Sequence, residues 1–138
     1  MTRSPDMQDS RTAIEAQMQL YFDDLYHSDT ERLRQVFDPA ARYVCATDDH
    51  VVNLGMAEYF PIVEARQPPA ARGEARRDAV VSVTFAGPKT AFVQAHCAIG
   101  ARYFTDFLTF IRTADGWRIV AKVFHYEPIE PPAAPDKE

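Results

Sequence analysis

No stretch of this chain is fit to cross a bilayer as a helix, because no uninterrupted apolar run approaches the roughly 20 residues that a membrane demands. The opening segment MTRSPDMQDS also lacks the apolar core of a secretory signal, so no membrane contact and a cytoplasmic location are expected. Cysteine is scarce: Cys45 and Cys97 are the only two, without CxxC or the Cys/His spacing of a zinc site. They read as buried free thiols in a reducing compartment, with a disulfide between them as the alternative. The five glycines are isolated, which leaves out a phosphate-cradling loop and a dinucleotide fingerprint, and no serine stands in a nucleophile elbow. No cofactor and no metal are therefore expected. Positive charge is thin as well. The formal net charge is -5 and the basic residues are interspersed with acidic ones, which argues against the positive footprint that nucleic acid requires. Arg72, Arg76 and Arg77 form the one local cluster and read as a solvated loop and strand start.

What the chain does have is aromatic material: nine Phe, six Tyr and one Trp in 138 residues, enough to fill one core and line a cavity. A chain of this length buries about two-thirds of its unfolded surface in one core. The expected division is a flexible N-terminus over 1–11, a single domain over 12–129 and a disordered proline-rich tail over 130–138.

Local patterns lay down helices first. A capping box of Thr12 with Glu15 opens a helix with Ile14, Met18, Tyr21, Phe22 and Leu25 on one face. A second box, Ser28 with Glu31, starts a short helix carrying Leu33, Val36 and Phe37, which Asp38-Pro39 stops. Ala41–Ala46 and His50–Leu54 form a hairpin about Thr47-Asp48-Asp49. Gly55 leads into a third helix, MAEYFPIVEAR, in which Pro61 imposes a kink or a restart. QPPAARG then follows as a loop with no reason to be ordered internally. Strands occupy the rest: Asp78–Phe85, Thr90–Ile99, Ala101–Arg112 and Trp117–Tyr126, joined by short turns into an antiparallel meander. The fold class is α+β, with three N-terminal helices packed on a strongly curved mixed, mainly antiparallel sheet that encloses a pocket.

The strands carry apolar residues on both faces. Phe104, Asp106, Leu108 and Phe110 share one face of the third meander strand, and Tyr103, Phe107 and Ile111 share the other. Helices cover one face, so the second needs another cover, and a twofold homodimer through the outer sheet face supplies it. In the last strand, alternation puts Lys122, Phe124 and Tyr126 on one face and Trp117, Ile119, Ala121, Val123 and His125 on the other. Alternation fixes the split and leaves open which face sees the pocket.

The stretch RYFTDFLTFIRTADGWRIVAKVFHYEP resembles the end of the putative lumazine-binding, or SnoaL-like, branch of the nuclear transport factor 2-like superfamily. The likeness lies in the Asp106-aromatic strand, the Asp115-Gly116-Trp117 turn and the spacing of Ile119, Lys122 and His125. Tyr21, Leu25, Asp29, Leu33, Phe37 and Asp38-Pro39 match the superfamily's first two helices, so the likeness runs from about Thr12 to Tyr126. It implies a cone-shaped, cystatin-like α+β fold with a pocket between helices and bent sheet, and pairing through the outer sheet face. Its members include steroid isomerases, dehydratases, polyketide cyclases and transport adaptors, so the fold alone leaves the chemistry open. Carried over from the isomerase pattern, Tyr21 takes the place of an oxyanion hydrogen-bond donor and Asp106 that of a second, protonated donor. The general-base carboxylate has no counterpart: Cys45, with Tyr43 beside it, stands near that place. Similarity to the same pattern implies that Phe124 and Tyr126 line the cavity and that the Trp117 set packs outward or toward the partner.

The expected ligand is a small apolar or ring-containing molecule. Its pocket is lined by Met18, Phe22, Tyr43, Cys45, Met56, Tyr59, Phe60, Phe104, Leu108, Lys122, Phe124 and Tyr126. Asp106 among aromatics has either a raised pKa or a donor such as Tyr21 or Lys122. One alternative is a cofactor-free lyase, isomerase or cyclase in which Asp106 moves a proton with Tyr21, or with His96 reaching across the ladder. The other is a non-enzymatic interaction module whose cavity is filled by side chains.

Overall fold

The computed structural model describes residues 5–130, with side chains from Gln8 onward. Helix α1 (Pro5–His27) and the one-turn α2 (Thr30–Leu33) precede a hairpin, β1 (Phe37–Cys45) and β2 (Val52–Gly55). Helix α3 (Met56–Ala65) and a 3₁₀ turn (Pro69–Arg72) lead into β3 (Asp78–Phe85), β4 (Thr90–Ile99), β5 (Arg102–Thr113) and β6 (Gly116–Pro128). The six strands form one sheet in the order β2-β1-β6-β5-β4-β3; β1 runs parallel to β6 and every other pair is antiparallel. This is the expected mixed sheet of an α+β fold, left open at its two edges, with the hairpin and the four-strand meander in place. Residues 131–138 of the expected proline-rich tail and the first four residues of the expected flexible lead-in lie outside the described residues. No helix among the described residues is long and apolar enough to cross a membrane.

The predicted stripe of α1 is buried throughout, from Ile14 through Met18, Tyr21 and Phe22 to Leu25. The helix opens at Pro5 and not at Thr12. Proline at the first helical position sacrifices no hydrogen bond, since an N–H there has no acceptor, and its φ is already helical. Thr12 and Glu15 accordingly lie about two turns inside the helix, where they cap nothing. Ser28, the second expected cap, sits at φ 52° and turns the chain, while Asp29 caps α2 by accepting from Arg32 N at 3.2 Å. Phe37 belongs to β1 and not to the second helix: Ile119 N donates to Val36 O at 2.8 Å, so sheet pairing begins before Asp38-Pro39. Pro39 is accommodated because the β1–β6 register is irregular between Phe37 and Arg42. α3 continues through Pro61, with its start held by Glu58 Oε1, which accepts from Gly55 N at 3.0 Å.

The QPPAARG segment is ordered, contrary to expectation. Gly73, at φ 67°, closes the 3₁₀ turn, and Arg72 donates to Gln67 O at 2.8 Å and to Glu74 Oε2 at 2.5 Å. Glu74 is buried; its Oε1 accepts from Gly100 N at 3.1 Å and its carbonyl accepts from Tyr26 Oη at 2.5 Å. The arginine cluster is exposed, as expected of a solvated loop and strand start, and two of its members are also paired. Arg76 bridges Asp23 at 2.8 Å and Asp78 at 3.1 Å, and the Arg77 guanidinium lies over the Tyr103 ring.

Alternation in β5 holds: Asp106, Leu108 and Phe110 are buried on the helix-covered face and Phe107 is exposed on the other. In β6 it fails at one point. Thr109 pairs with Ala121 and Phe110 with Ile119, so Val120 is an extra residue, a β-bulge. Trp117 and Ile119 therefore point into the core together with Lys122 and Phe124, and the outward packing expected of the Trp117 set is confined to Ala121, Val123 and His125.

One buried charge in α1 sets a pH dependence. Asp24 is 1% exposed, has an unpartnered Oδ2 and lies 3.6 Å from Arg32 Nε. Burial, only partly offset by Arg32, pushes its pKa up to about 6. With the folded-state value above the unfolded one of 3.8, the stabilisation is full at pH well below 3.8 and is lost as pH rises through 6. Asp24→Asn is thus expected to be more stable than the parent at pH 7, by up to about 3 kcal/mol, and equal to it at about pH 3. Paired urea melts at the two pH values check this; an unchanged gap would refute it.

Candidate functional site

Tyr21 from α1 and Asp106 from β5 meet in the interior, where Tyr21 Oη donates to Asp106 Oδ2 at 2.5 Å. Asp106 is 1% exposed, and its second oxygen, Oδ1, has no hydrogen-bond partner among the described residues. Asp106 pairs with Phe124 and Leu108 with Lys122, which makes Asp106 and Lys122 diagonal neighbours on the inner face. The Lys122 ammonium is 5.1 Å from the Tyr21 ring centroid and 5.5, 5.5 and 5.3 Å from those of Tyr43, Tyr59 and Phe124, and it donates to Tyr59 Oη at 3.4 Å. Burial opposes its charge, but Tyr59, Asp106 and Tyr43 outweigh burial and hold its pKa above the usual lysine value. Burial, reinforced by the Asp106 charge, raises the Tyr21 phenol well above its ordinary value and pushes the Cys97 thiol up to about 12, so Cys97 is an inert thiol.

Above this cluster lies a space of about 10 Å³, bounded by Leu25, Tyr43, Tyr59, Arg66, Cys97, Ile99, Phe104, Asp106 and Lys122. It adjoins a cavity of about 240 Å³ lined by Tyr43, Cys45, Asp48, His50, Val52, Ile62, Arg66, Arg102, Phe104, Phe124 and Tyr126. Tyr43, Arg66 and Phe104 are common to both linings. The cavity wall is an aromatic ladder: ring centroids of Tyr43 and Phe124 are 4.8 Å apart, Phe104 and Phe124 5.8 Å, and Phe104 and Tyr126 5.7 Å in a stacked arrangement. Arg102 lies over the Tyr126 ring at 4.4 Å, and Tyr126 Oη donates to Asp48 Oδ2 at 2.7 Å. Arg66, just past the end of α3, contributes a guanidinium whose Nε is buried without a hydrogen-bond partner among the described residues.

Of the predicted lining, Tyr43, Cys45, Phe104, Phe124 and Tyr126 bound the cavity, and Tyr59, Asp106 and Lys122 bound the space beneath it. Met18, Phe22, Met56, Phe60 and Leu108 line neither and pack in the core. The reason is Phe37, which the sequence places in a helix. As the first residue of β1 it sits with ring centroids 6.1, 5.9 and 6.2 Å from Tyr21, Tyr59 and Phe60 and fills the interior those residues would have opened. His96 does not reach Asp106. Ala95 is the partner of Asp106 in the β4–β5 ladder and His96 pairs with Thr105, so the imidazole is on the outer face, its ring 5.4 Å from that of Tyr103. Arg66, Arg102, Asp48 and His50 had no signal in the sequence, because they come from segment ends and loops that only the tertiary fold brings to one mouth. Among the described residues no group of three or more His, Cys, Asp or Glu side chains is placed to hold a metal ion.

Residues 9–125 match the family described as "Putative lumazine-binding". No functionally curated protein matches the chain. Solved structures do. An NTF2-like protein of unknown function from Silicibacter pomeroyi superposes with a TM-score of 0.79 at 21% identity, over 92% of this chain and 100% of that one. Another from Shewanella baltica gives 0.79 at 19% identity over 91% and 99%. An NTF2-like protein with a cystatin-like fold from Novosphingobium aromaticivorans gives 0.68 at 18% identity over 86% and 82%. At these identities the likeness is one of fold.

Proposed function

The chain belongs to the putative lumazine-binding family of the NTF2-like superfamily, and from that premise we propose that it binds a small, planar, ring-containing molecule in the cavity between β1, β6 and the end of α3. The observation that carries this reading is the cavity of about 240 Å³ walled by Tyr43, Phe104, Phe124 and Tyr126. Its size lies just below the roughly 300 Å³ at which drug-sized sites begin, so it suits one ring or two fused rings. The family's description names lumazine, and a flat heterocycle of that kind fits stacked aromatic walls. A cavity this large also weighs against an interaction module whose interior is filled by side chains.

The arrangement favours binding over proton transfer. Tyr21 Oη is spent on Asp106, and the free Asp106 oxygen borders a space of only about 10 Å³. A substrate's reacting carbon would need that space widened to come within hydrogen-bond reach.

The second part of the proposal is a homodimer through the outer sheet face. Val81, Phe92, Phe107 and Val123 are 51, 40, 43 and 44% exposed there, and the Phe92 and Phe107 rings pack 5.5 Å apart across the β4–β5 ladder. Native mass spectrometry of freshly purified protein tests both parts. The expected result is a dimer carrying a small mass that is released on denaturation. A monomer at micromolar concentration would overturn the dimer. A chain that holds no small mass and shows no saturable binding of 2-naphthoate or 2-naphthamide would overturn the pocket reading.

A further inference from the structure

Resting on that reading of the cavity, we infer that its ligand is an anion, an aromatic carboxylate whose ring stacks in the wall while its carboxylate is received by Arg66, with Arg102 as a second cation at the mouth.

Charge count supplies the first reason. The residues bounding the cavity and the space beneath it carry Arg66, Arg102 and Lys122 against Asp48 and Asp106, with His50 besides. The two acids already have work: Asp106 accepts from Tyr21 and Asp48 from Tyr126. Lys122 is held by four rings and the Tyr59 hydroxyl. The two arginines are left over. Neither forms an ion pair with a described residue; Arg102 rests on the Tyr126 ring, and Arg66 has a buried Nε with no acceptor among the described residues.

The second reason is the chemistry of a buried guanidinium donor that no described residue accepts from. A buried donor without an acceptor is unfavourable by about 1–3 kcal/mol, and more when charged, so Arg66 is held in a conformation that an incoming acceptor would relieve. The guanidinium fork matches a planar carboxylate through two parallel hydrogen bonds, which a single neutral carbonyl cannot reproduce.

Placement supplies the third. Arg66 lines both the cavity and the space beneath it, in company with Tyr43 and Phe104 in each lining. A carboxylate directly attached to a ring can therefore reach Arg66 while the ring lies among Phe104, Phe124 and Tyr126. With one or two rings the ligand also stays within the cavity's volume of about 240 Å³.

The test is a calorimetric titration of the full chain with 2-naphthoate and with 2-naphthamide, its neutral counterpart of nearly equal shape. The wild-type protein is expected to bind the acid at least about tenfold more tightly than the amide, the effect of one charged hydrogen bond. Arg66→Met should abolish that preference by weakening the acid and leaving the amide unchanged; Arg102→Met should reduce it less. Thermal melts of both variants establish that they are folded, as expected from side chains that form no ion pair. If acid and amide bind equally, or the amide binds better, the pocket reading stands and the anionic ligand is refuted. Saturable acid binding that Arg66→Met leaves intact would likewise refute the role of Arg66. If neither compound binds and no small mass co-purifies, the pocket reading fails and this inference fails with it.

Discussion

Lys122→Met is expected to destabilise the fold by about 3–5 kcal/mol, because it leaves the buried Asp106 carboxylate, a diagonal neighbour of Lys122 that is not in direct ion-pair contact with it, without a nearby neutralising charge. Lys122 is 5% exposed and Asp106 1%, and among the described residues Tyr21 provides the only hydrogen bond to the Asp106 carboxylate. Methionine matches the length of the lysine stem, so packing among Tyr21, Tyr43, Tyr59 and Phe124 is largely retained and the loss reports the stranded carboxylate. The effect should be non-additive. In a Lys122→Met background, Asp106→Asn removes the uncompensated charge, and the double variant is expected to recover at least half of the lost stability. Equilibrium urea denaturation of the two single variants and the double measures this directly. Additive losses would show that Asp106 and Lys122 do not act as one charge cluster, and a Lys122→Met loss below about 1 kcal/mol would show that the buried lysine is not its counter-ion.

Deletion of Val120 is expected to abolish folding. Without the bulge, one half of β6 must turn over relative to β5: either Trp117 and Ile119 or Lys122 and Phe124 would face outward. Each large apolar side chain removed from the core costs about 1.5–3 kcal/mol, and loss of the Lys122 charge near the buried Asp106 adds to that. The sum is comparable with the whole stability of a domain, about 5–15 kcal/mol. Val120→Ala separates the bulge from its side chain. Val120 is only half-buried, so this variant should fold and lose no more than about 1 kcal/mol. Circular dichroism and a cooperative melt distinguish the two. A deletion variant that melts cooperatively near the parent's temperature would mean that the bulge has no part in placing these residues.

Much of this architecture was legible because it rests on near neighbours in the chain. Spacing of three and four residues identified the buried stripe of α1, and strict alternation placed Asp106, Leu108 and Phe110 on one side of β5 and Phe107 on the other. Turn residues bounded β3, β4, β5 and β6 to within a residue or two. The Tyr21–Asp106 contact was one of two partners expected for a carboxylate among aromatic residues, and the superfamily resemblance supported both positions. The helix starts were misread because Thr12-Glu15 and Ser28-Glu31 satisfy the capping pattern locally, while Pro5 and Asp29 open those helices.

Phe37 shows where local patterning ends. Its spacing after Leu33 suits a helix, but pairing with Ile119, 82 positions further along the chain, makes it the first residue of β1 and the plug of the inner core. His96 and Asp106 shared a plausible ladder in the sequence, yet which residue of β4 stands opposite which residue of β5 is a matter of register.

The sequence by itself thus determined the α+β class, the helical stripe, the extents of β3 to β6 and the burial of Asp106, because each depends on local patterns that consecutive residues display. Only the tertiary structure decided the parallel pairing of β1 with β6, the extra residue at Val120, the separation of His96 from Asp106 and the meeting of Arg66 with Arg102 at one cavity. The physical reason is that these four features are set by the free energy of pairing and packing between segments far apart in the chain, which no local period records.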